Sequence, residues 1–195
     1  LNNDPLSFWS RSLIRTCVTL FESETYLLKQ ELLAYCNEEN IKLSPEITLA
    51  LAAKKIEIKS NGALNLQYLQ TPLTADIKFL FRQIIEIHGF SIKRDFDDSG
   101  WGCLQNTIKV RNRLTHPKSF DDQAINDREI EECICSYEWF YDNTINFLEQ
   151  RTSKLQAMIS ELSPELTHRN PLAGNNTSSS NRSFMLGMPP QPTKE

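Results

Sequence analysis

The feature that most constrains the fold is a long series of apolar residues at helical spacing between Asp127 and Leu162. Within its first six turns the apolar positions are Ile130, Cys133, Ile134, Tyr137, Phe140, Tyr141, Ile145 and Leu148. A helix with so wide an apolar stripe is stable only when the stripe packs against other elements. The sequence therefore predicts a long final helix inside a helical bundle.

Four further helices are predicted from their start and stop signals. Only six of the 195 residues are glycine, which also favours helix. The predicted starts are Asp4-Pro5 for a helix to about residue 40, Ser44-Pro45 for one through residue 53, Thr71-Pro72 for one that stops at Gly89, and Asp97 to Ser99 for one that ends at Pro117.

A β-hairpin is predicted at about residues 56–69, between the second and third helices. Apolar and polar residues alternate there on both sides of Asn61-Gly62, a strong signal for a tight turn. An isolated hairpin is only marginally stable, so we expect it to pack on the helices. The predicted fold class is mainly α, an antiparallel helical bundle with one inserted β-hairpin.

The domain organisation follows from a change in composition after residue 163. Residues 1–163 are predicted to form the helical domain, and residues 164–195, rich in Pro, Ser and Asn, a disordered tail. The longest apolar run, residues 47–53, is too short to cross a bilayer. Five cysteines without paired spacing favour reduced thiols and core positions over a zinc site. We expect a cytoplasmic protein without metal or cofactor.

The segment Arg111–Lys118 concentrates positive charge at the end of the fourth helix. Between Ser99 and Phe120 there are four basic residues and no Asp or Glu, whereas the chain as a whole has a net charge of −4. Such a local basic site on an acidic protein favours a restricted phosphate or RNA contact, because a general nucleic-acid coat needs a basic face.

Arg111 and His116 are the candidate catalytic residues of this segment. Arg111 follows Ile108 on the apolar side of the helix, where a guanidinium needs a partner or a function. His116 precedes a proline, so its imidazole is expected where the helix breaks. A cap that neutralises the helix C-terminus explains the same residues, and both interpretations remain open. Arg82 and His88 have a similar spacing inside a regular helix and are interpreted as structural.

The neighbouring polar residues have two interpretations each. Asn112 is a candidate to orient Arg111 or to contact phosphate, or it is a solvated helix residue. Lys109, Arg113 and Lys118 are candidate contacts to an RNA backbone, or they are surface charges. The acidic residues on either side of the segment are predicted to cap helices and to lie in solvated loops, in preference to binding metal: Asp95, Asp97, Asp98, Asp121 and Asp122.

The six residues from Arg111 to His116 (Arg-Asn-Arg-Leu-Thr-His) resemble the signature of the HEPN superfamily. That signature is an Arg followed by a polar residue, with four to six residues between the Arg and a His, near the end of a helix in a compact bundle. The sequence from Gly100 to Lys118 is also similar to sequences of uncharacterised bacterial proteins related to these domains. The layout of residues 5–155 is compatible with the resemblance, whereas the hairpin and the tail depart from it.

The resemblance implies a metal-independent endoribonuclease that acts as a homodimer. In that case Arg111 would neutralise the scissile phosphate, His116 would transfer protons and Asn112 would orient the pair. The resemblance also implies a toxin or phage-defence effector, with a nucleotidyltransferase-like antitoxin as a partner. The competing hypothesis is a non-catalytic helical module that uses the same basic helix end to bind RNA, a nucleotide or a protein.

Overall fold

A computed structural model of the chain describes residues 5–168, as five α-helices, one hairpin and a short 3-10 turn at Asp121–Gln123. The elements are α1 (Pro5–Glu38), α2 (Pro45–Leu51), β1 (Lys54–Ile58), β2 (Leu64–Tyr68), α3 (Leu73–His88), α4 (Ser99–Thr115) and α5 (Asp127–His168). The predicted mainly α fold with one inserted antiparallel hairpin is confirmed.

The described residues fall into two units, which divide between Ser153 and Lys154. The first unit contains α1 to α4, the hairpin and most of α5. In the second unit, residues 154–168 form the last turns of α5, which therefore continues past the predicted domain boundary at residue 163. The remainder of the predicted tail, from residue 169, lies outside the described residues.

The predicted helix signals correspond to real helix ends. Ser44 caps α2 by accepting a hydrogen bond from the backbone N–H of Ile47 at 3.3 Å. Asp98 caps α4 by accepting from the N–H of Gly100 at 2.6 Å, and α3 stops at a left-handed Gly89. Helices α1 and α2 each end two residues before the predicted position, within the usual uncertainty of a fraying helix end.

An aromatic cluster at the centre of the first unit joins α3, α4 and α5. The indole ring of Trp139 on α5 lies 5.2 Å from that of Trp101 on α4 and 5.9 Å from the ring of Phe81 on α3, measured between ring centroids. Half of the predicted α5 stripe is nevertheless exposed, because the buried face of the helix is centred on Trp139. The exposed members are Ile134, Tyr137, Tyr141 and Leu148.

The first turn of α4 approaches α5 so closely that only glycine fits at residue 100. A Cβ atom on Gly100 would lie 2.6 Å from the Cβ of Trp139, well inside van der Waals contact. The Nε1 of Trp139 donates to the carbonyl of Asp95 at 3.2 Å, and the buried side chain of Asn143 accepts from two backbone N–H groups of the same loop. These bonds tie the loop before α4 to α5.

The hairpin closes with a three-residue loop, Ser60 to Gly62. The Gly62 N–H donates to the carbonyl of Lys59 at 2.8 Å, and Gly62 has a φ of 78°, which glycine adopts without steric cost. At the base of the hairpin the Leu69 N–H donates to the carbonyl of Ala53 at 2.8 Å, and Ala53 is itself left-handed, with a φ of 51°.

The prediction that the hairpin packs on the helices is wrong. All five residues of β1 are exposed, and on β2 the alternate positions Leu64, Leu66 and Tyr68 are exposed too. The alternating pattern specifies that one face is apolar, but the chain turns away from the bundle at Ala53, and no helix in the described range covers that face.

The predicted cysteine positions are confirmed in part. Cys17, Cys36 and Cys133 are buried, whereas Cys103 and Cys135 are partly accessible, and all five thiols are free. Burial raises the pKa of the Cys36 thiol above its usual value, as expected for a core cysteine. None of the helices within residues 5–168 combines the length and the apolar character that a bilayer crossing requires.

Replacing Gly100 by alanine is expected to lower the free energy of unfolding by about 1–3 kcal/mol, because the added methyl group overpacks against Trp139. Gly102→Ala is the matched control: it lies on the same helix, and a Cβ atom added there would meet no other atom within 4 Å. In Gly102→Ala we expect the free energy of unfolding to rise by up to ~1 kcal/mol, because alanine has the higher helix propensity. Urea unfolding of both variants measures the difference, and equal stabilities would contradict the close approach.

Candidate functional site

Helix α4 ends two residues before Pro117, at the break predicted from the proline. Thr115 is its last residue, and His116 follows with a φ of −127° and a ψ of 61°, outside the helical region. The His116 N–H still donates to the carbonyl of Asn112 at 3.0 Å, so the backbone is held at the break. The His116 side chain is exposed at the end of the helix.

The guanidinium of Arg111 is paired with Glu22 of α1. Its Nη2 forms a hydrogen-bonded ion pair with a carboxylate oxygen of Glu22, while its Nε is buried without a hydrogen-bond partner among the described residues. The Arg111 side chain is 25% exposed, so solvent still reaches it. A partner or a function was predicted for the Arg111 guanidinium, and in the structure Glu22 is its partner.

Arg111 and Asn112 line one cleft of about 370 Å³ between α1, α3 and α4. Glu22 and Asp76 also line this cleft. Asp76 accepts an ion-paired hydrogen bond at 2.8 Å from Lys29, whose side chain is only 2% exposed. The cleft therefore contains one accessible guanidinium between two carboxylates.

Lys29 is a further charged residue beside the cleft that was not predicted, although the sequence contains a signal for it. Lys29 occupies the buried stripe of α1, four residues after the buried Thr25 and three before the buried Leu32. A lysine at a core position of a helix needs a carboxylate partner, because an isolated buried charge is costly. The identity of that partner, Asp76 on α3, was not predictable from local spacing.

Lys109 and Arg113 lie on the other side of α4. Residues two apart on a helix differ by about 200° in direction, so Arg113 points away from Arg111. It forms an ion pair with Glu129 at 3.0 Å and donates to the carbonyl of Ala124 at 2.8 Å, which ties α4 to the start of α5. The structure therefore does not bring all the predicted basic side chains together.

Arg15 of α1 reaches the C-terminal end of α4. Its Nη2 donates to the carbonyl of Leu114 at 2.8 Å, across 99 residues of sequence. The last carbonyls of a helix carry partial negative charge, which disfavours an anion, and a guanidinium on them reduces that effect. Arg15 is thus a site residue that the sequence analysis did not identify, and nothing local to α4 indicates it.

The loop after His116 is held by a carboxylate. Asp122 accepts hydrogen bonds from the backbone N–H groups of Lys118 and Ser119 at 2.7 and 3.0 Å. These two donors hold the pKa of Asp122 below its usual value. Asp98 and Asp122 thus have the predicted roles of a helix cap and a loop contact. Among the described residues, no group of three or more His, Cys, Asp and Glu side chains is arranged to hold a metal ion.

His88, the histidine of the second Arg/His pair in the sequence, lies in a different environment from His116. The His88 ring stacks on Phe90 at 4.8 Å and lies 4.3 Å from the ring of Tyr35, measured between centroids. His88 ends α3 within an aromatic group, whereas His116 is exposed beside a basic helix end. The two Arg/His pairs thus have a similar spacing in sequence, but their histidines have different surroundings.

No protein-family model, no curated protein and no solved structure matches this chain. Any function proposed for this chain therefore rests on the chemistry of the α4 end, the partners of its charged residues and the sequence resemblance of residues 111–116.

Asp76→Asn is expected to lower the free energy of unfolding by about 2–3 kcal/mol, because it leaves the charge of Lys29 buried without a counter-ion. Glu31→Gln is the matched control, since it breaks an exposed pair with Arg151 and should cost less than about 1 kcal/mol. Denaturant unfolding at neutral pH measures both. Similar small losses in the two variants would show that the Lys29 pair contributes little.

Proposed function

We propose that this protein is a metal-independent endoribonuclease of the HEPN type, with its active site at the C-terminal end of α4. The observation that carries the proposal is the placement of Arg111 and Asn112 on one accessible cleft, with His116 exposed where the same helix breaks. An acceptor of phosphate charge and a group able to transfer protons are the minimum that RNA transesterification requires.

In the proposed mechanism, Arg111 neutralises a non-bridging oxygen of the scissile phosphate. The 2′-oxygen attacks phosphorus and loses its proton, a new P–O2′ bond forms, and the P–O5′ bond breaks as the 5′-oxygen gains a proton. His116 serves these proton transfers, and Asn112 orients Arg111 and the phosphate. The products are a 2′,3′-cyclic phosphate and a 5′-hydroxyl. Proton transfer of this kind contributes roughly 10² to 10⁴ in rate.

Substrate binding in this proposal requires Arg111 to exchange one anion for another. Glu22 holds the guanidinium in the free protein, and a phosphate entering the cleft would displace it. The Asn112 amide, which lines the same cleft, offers a further donor to the phosphate. Lys118 adds positive charge after His116, and Lys109 and Arg113 would contact RNA that passes around α4.

The biological setting of the proposal comes from the sequence resemblance. It implies RNA as substrate, a homodimer, and a toxin or phage-defence role with a nucleotidyltransferase-like antitoxin as partner. Five free thiols fit a reducing compartment such as the cytoplasm.

The alternative function is a non-catalytic module that binds RNA, a nucleotide or a protein at the same helix end. Two ion pairs favour it: Arg111 with Glu22, and Arg113 with Glu129. Both arginines already hold α4 against its neighbours, which is a sufficient structural reason for their presence. In this case Lys118 and the neighbouring Lys109 of α4 would supply most of the affinity.

The decisive test is cleavage of labelled total RNA in EDTA by the wild type, Arg111→Ala and His116→Ala. We expect cyclic-phosphate ends with the wild type and a loss of at least ~10²-fold in rate in each variant, because one removes charge stabilisation and the other proton transfer. Arg151→Ala is the matched control: its side chain is 46% exposed and pairs with Glu31 of α1, and it is not among the proposed RNA contacts, so the rate should not change.

Two results would contradict the proposed nuclease activity. Cleavage that persists in His116→Ala would point to a contaminating enzyme, and complete absence of cleavage by folded protein that still binds RNA would favour the binding module. Circular dichroism of each variant establishes that the helices remain.

Glu22→Gln is expected to tighten RNA binding by about fivefold, or ~1 kcal/mol, because it removes the anion that competes for Arg111. Binding is measured by fluorescence anisotropy on a His116→Ala background, so that the RNA stays intact. Glu31→Gln, which breaks the exposed pair with Arg151 elsewhere on α1, is the control and should leave the affinity unchanged. Weaker binding by Glu22→Gln would show that Glu22 positions Arg111 for RNA instead of competing with it.

A further inference from the structure

The hairpin presents an apolar face that the described helices leave exposed. The strand register pairs Ile58 with Leu64, Ile56 with Leu66 and Lys54 with Tyr68, so these six side chains lie on one face. Its five large apolar members are each between 53% and 78% exposed. We call this surface the hairpin face; it consists of Lys54, Ile56, Ile58, Leu64, Leu66 and Tyr68.

Such a face is unusual on a two-stranded sheet. It exposes apolar area on the order of 600 Å², the upper end of what monomeric soluble proteins present. A hairpin of two strands is marginal in water without packing on one side. The strands are nevertheless regular, with five paired positions and a hydrogen-bonded loop. The hairpin is therefore an ordered element whose apolar face is not covered by the described helices.

We propose that a second copy of this chain covers the hairpin face, with the two faces packed against each other about a two-fold axis. The face is flat and apolar, so it is complementary to itself, as a two-fold interface requires. Two such faces together would bury about 1,200 Å², which reaches the lower limit for a specific, stable interface. The proposed function also includes a homodimer but does not identify its interface, whereas this inference rests on the hairpin face alone and does not require nuclease activity.

The charges of the hairpin permit this arrangement. Lys54 is the one charged residue of the hairpin face and lies at its base, while alternation places Lys55 and Glu57 on the opposite face. A two-fold axis perpendicular to the strands puts the two Lys54 residues at opposite ends, roughly 13 Å or more apart. That separation exceeds the Debye length of about 8 Å at physiological salt, so like charges do not meet.

The concave groove between α1 and α5 is a weaker candidate for self-association. It has a volume of about 290 Å³ and is lined by apolar residues that include Leu13, Leu20 and Tyr137. A groove needs a ridge to fill it, and two copies of the same groove cannot fill each other. The hairpin face does not need a different surface as its complement.

A lipid bilayer is also a poor match for the hairpin face. The bonds from Lys59 N–H to the Ala63 carbonyl and from Leu69 N–H to the Ala53 carbonyl fix the alternation of the ladder. By that alternation the backbone groups of Leu64, Leu66 and Tyr68 point to the open edge of β2. Unpaired backbone groups are not tolerated in hydrocarbon, whereas at the rim of a protein interface they stay hydrated.

Sedimentation equilibrium of the full chain tests the proposal. The wild type is expected to be a dimer, and Leu66→Lys should raise the dimer dissociation constant by at least ~30-fold, because it places a charge at the centre of the interface. Gln67→Lys is the matched control, since it adds the same charge to the neighbouring position on the opposite face and should leave the dimer intact. Circular dichroism checks that both remain folded, and Ile58→Lys replaces Leu66→Lys if that variant loses helix.

Three outcomes would overturn the proposal. The first is a wild type that stays monomeric at the highest soluble concentration. The second is a dimer that survives Leu66→Lys and Ile58→Lys but dissociates in Tyr137→Lys, which would assign the interface to the α1–α5 groove. The third is a monomer that co-sediments with phosphatidylserine vesicles and loses this binding in Leu66→Lys, which would assign the face to a membrane.

Discussion

The close approach of α4 to Trp139 is the contact on which the arrangement of the site depends. With no side chain at Gly100, the start of α4 lies directly on the indole, and the loop before it is tied to α5 by Trp139 and Asn143. This contact fixes the rotation of α4 about its axis. From that rotation it follows that Arg111 faces α1 and that Arg113 faces the start of α5.

Local signals in the sequence were sufficient for the elements but not for their partners. Caps, prolines and the Asn61-Gly62 turn act over a few residues, so the helices, the hairpin and the helix break at His116 were predictable. The contact of Arg111 with Glu22 joins residues 89 positions apart, and that of Arg15 with Leu114 joins residues 99 apart. Such pairs depend on how helices pack, which periodicity does not encode. Alternation likewise identified an apolar hairpin face without indicating what covers it.

The charge of the α4 end is lower than a count of its basic residues suggests. Both of its arginines, Arg111 and Arg113, have carboxylate partners from other helices. The segment from Ser99 to Phe120 looks strongly basic in sequence, but the charges of its two arginines are balanced by carboxylates. Its remaining positive charge is on Lys109 and Lys118. Any anion at Arg111 has to compete with a carboxylate, which favours a polyanion held at several points over a single small phosphate.

The closed base of the hairpin has an evolutionary implication. Because the chain enters the hairpin at Ala53 and leaves it at Leu69, two residues joined by a hydrogen bond, the fifteen residues between them form a separable insertion. Related chains need not carry it to keep the same helices, since a short turn can bridge the two ends. The hairpin is therefore a module that can be gained, lost or exchanged without redesign of the helical core, and its sequence is free to change with its contacts.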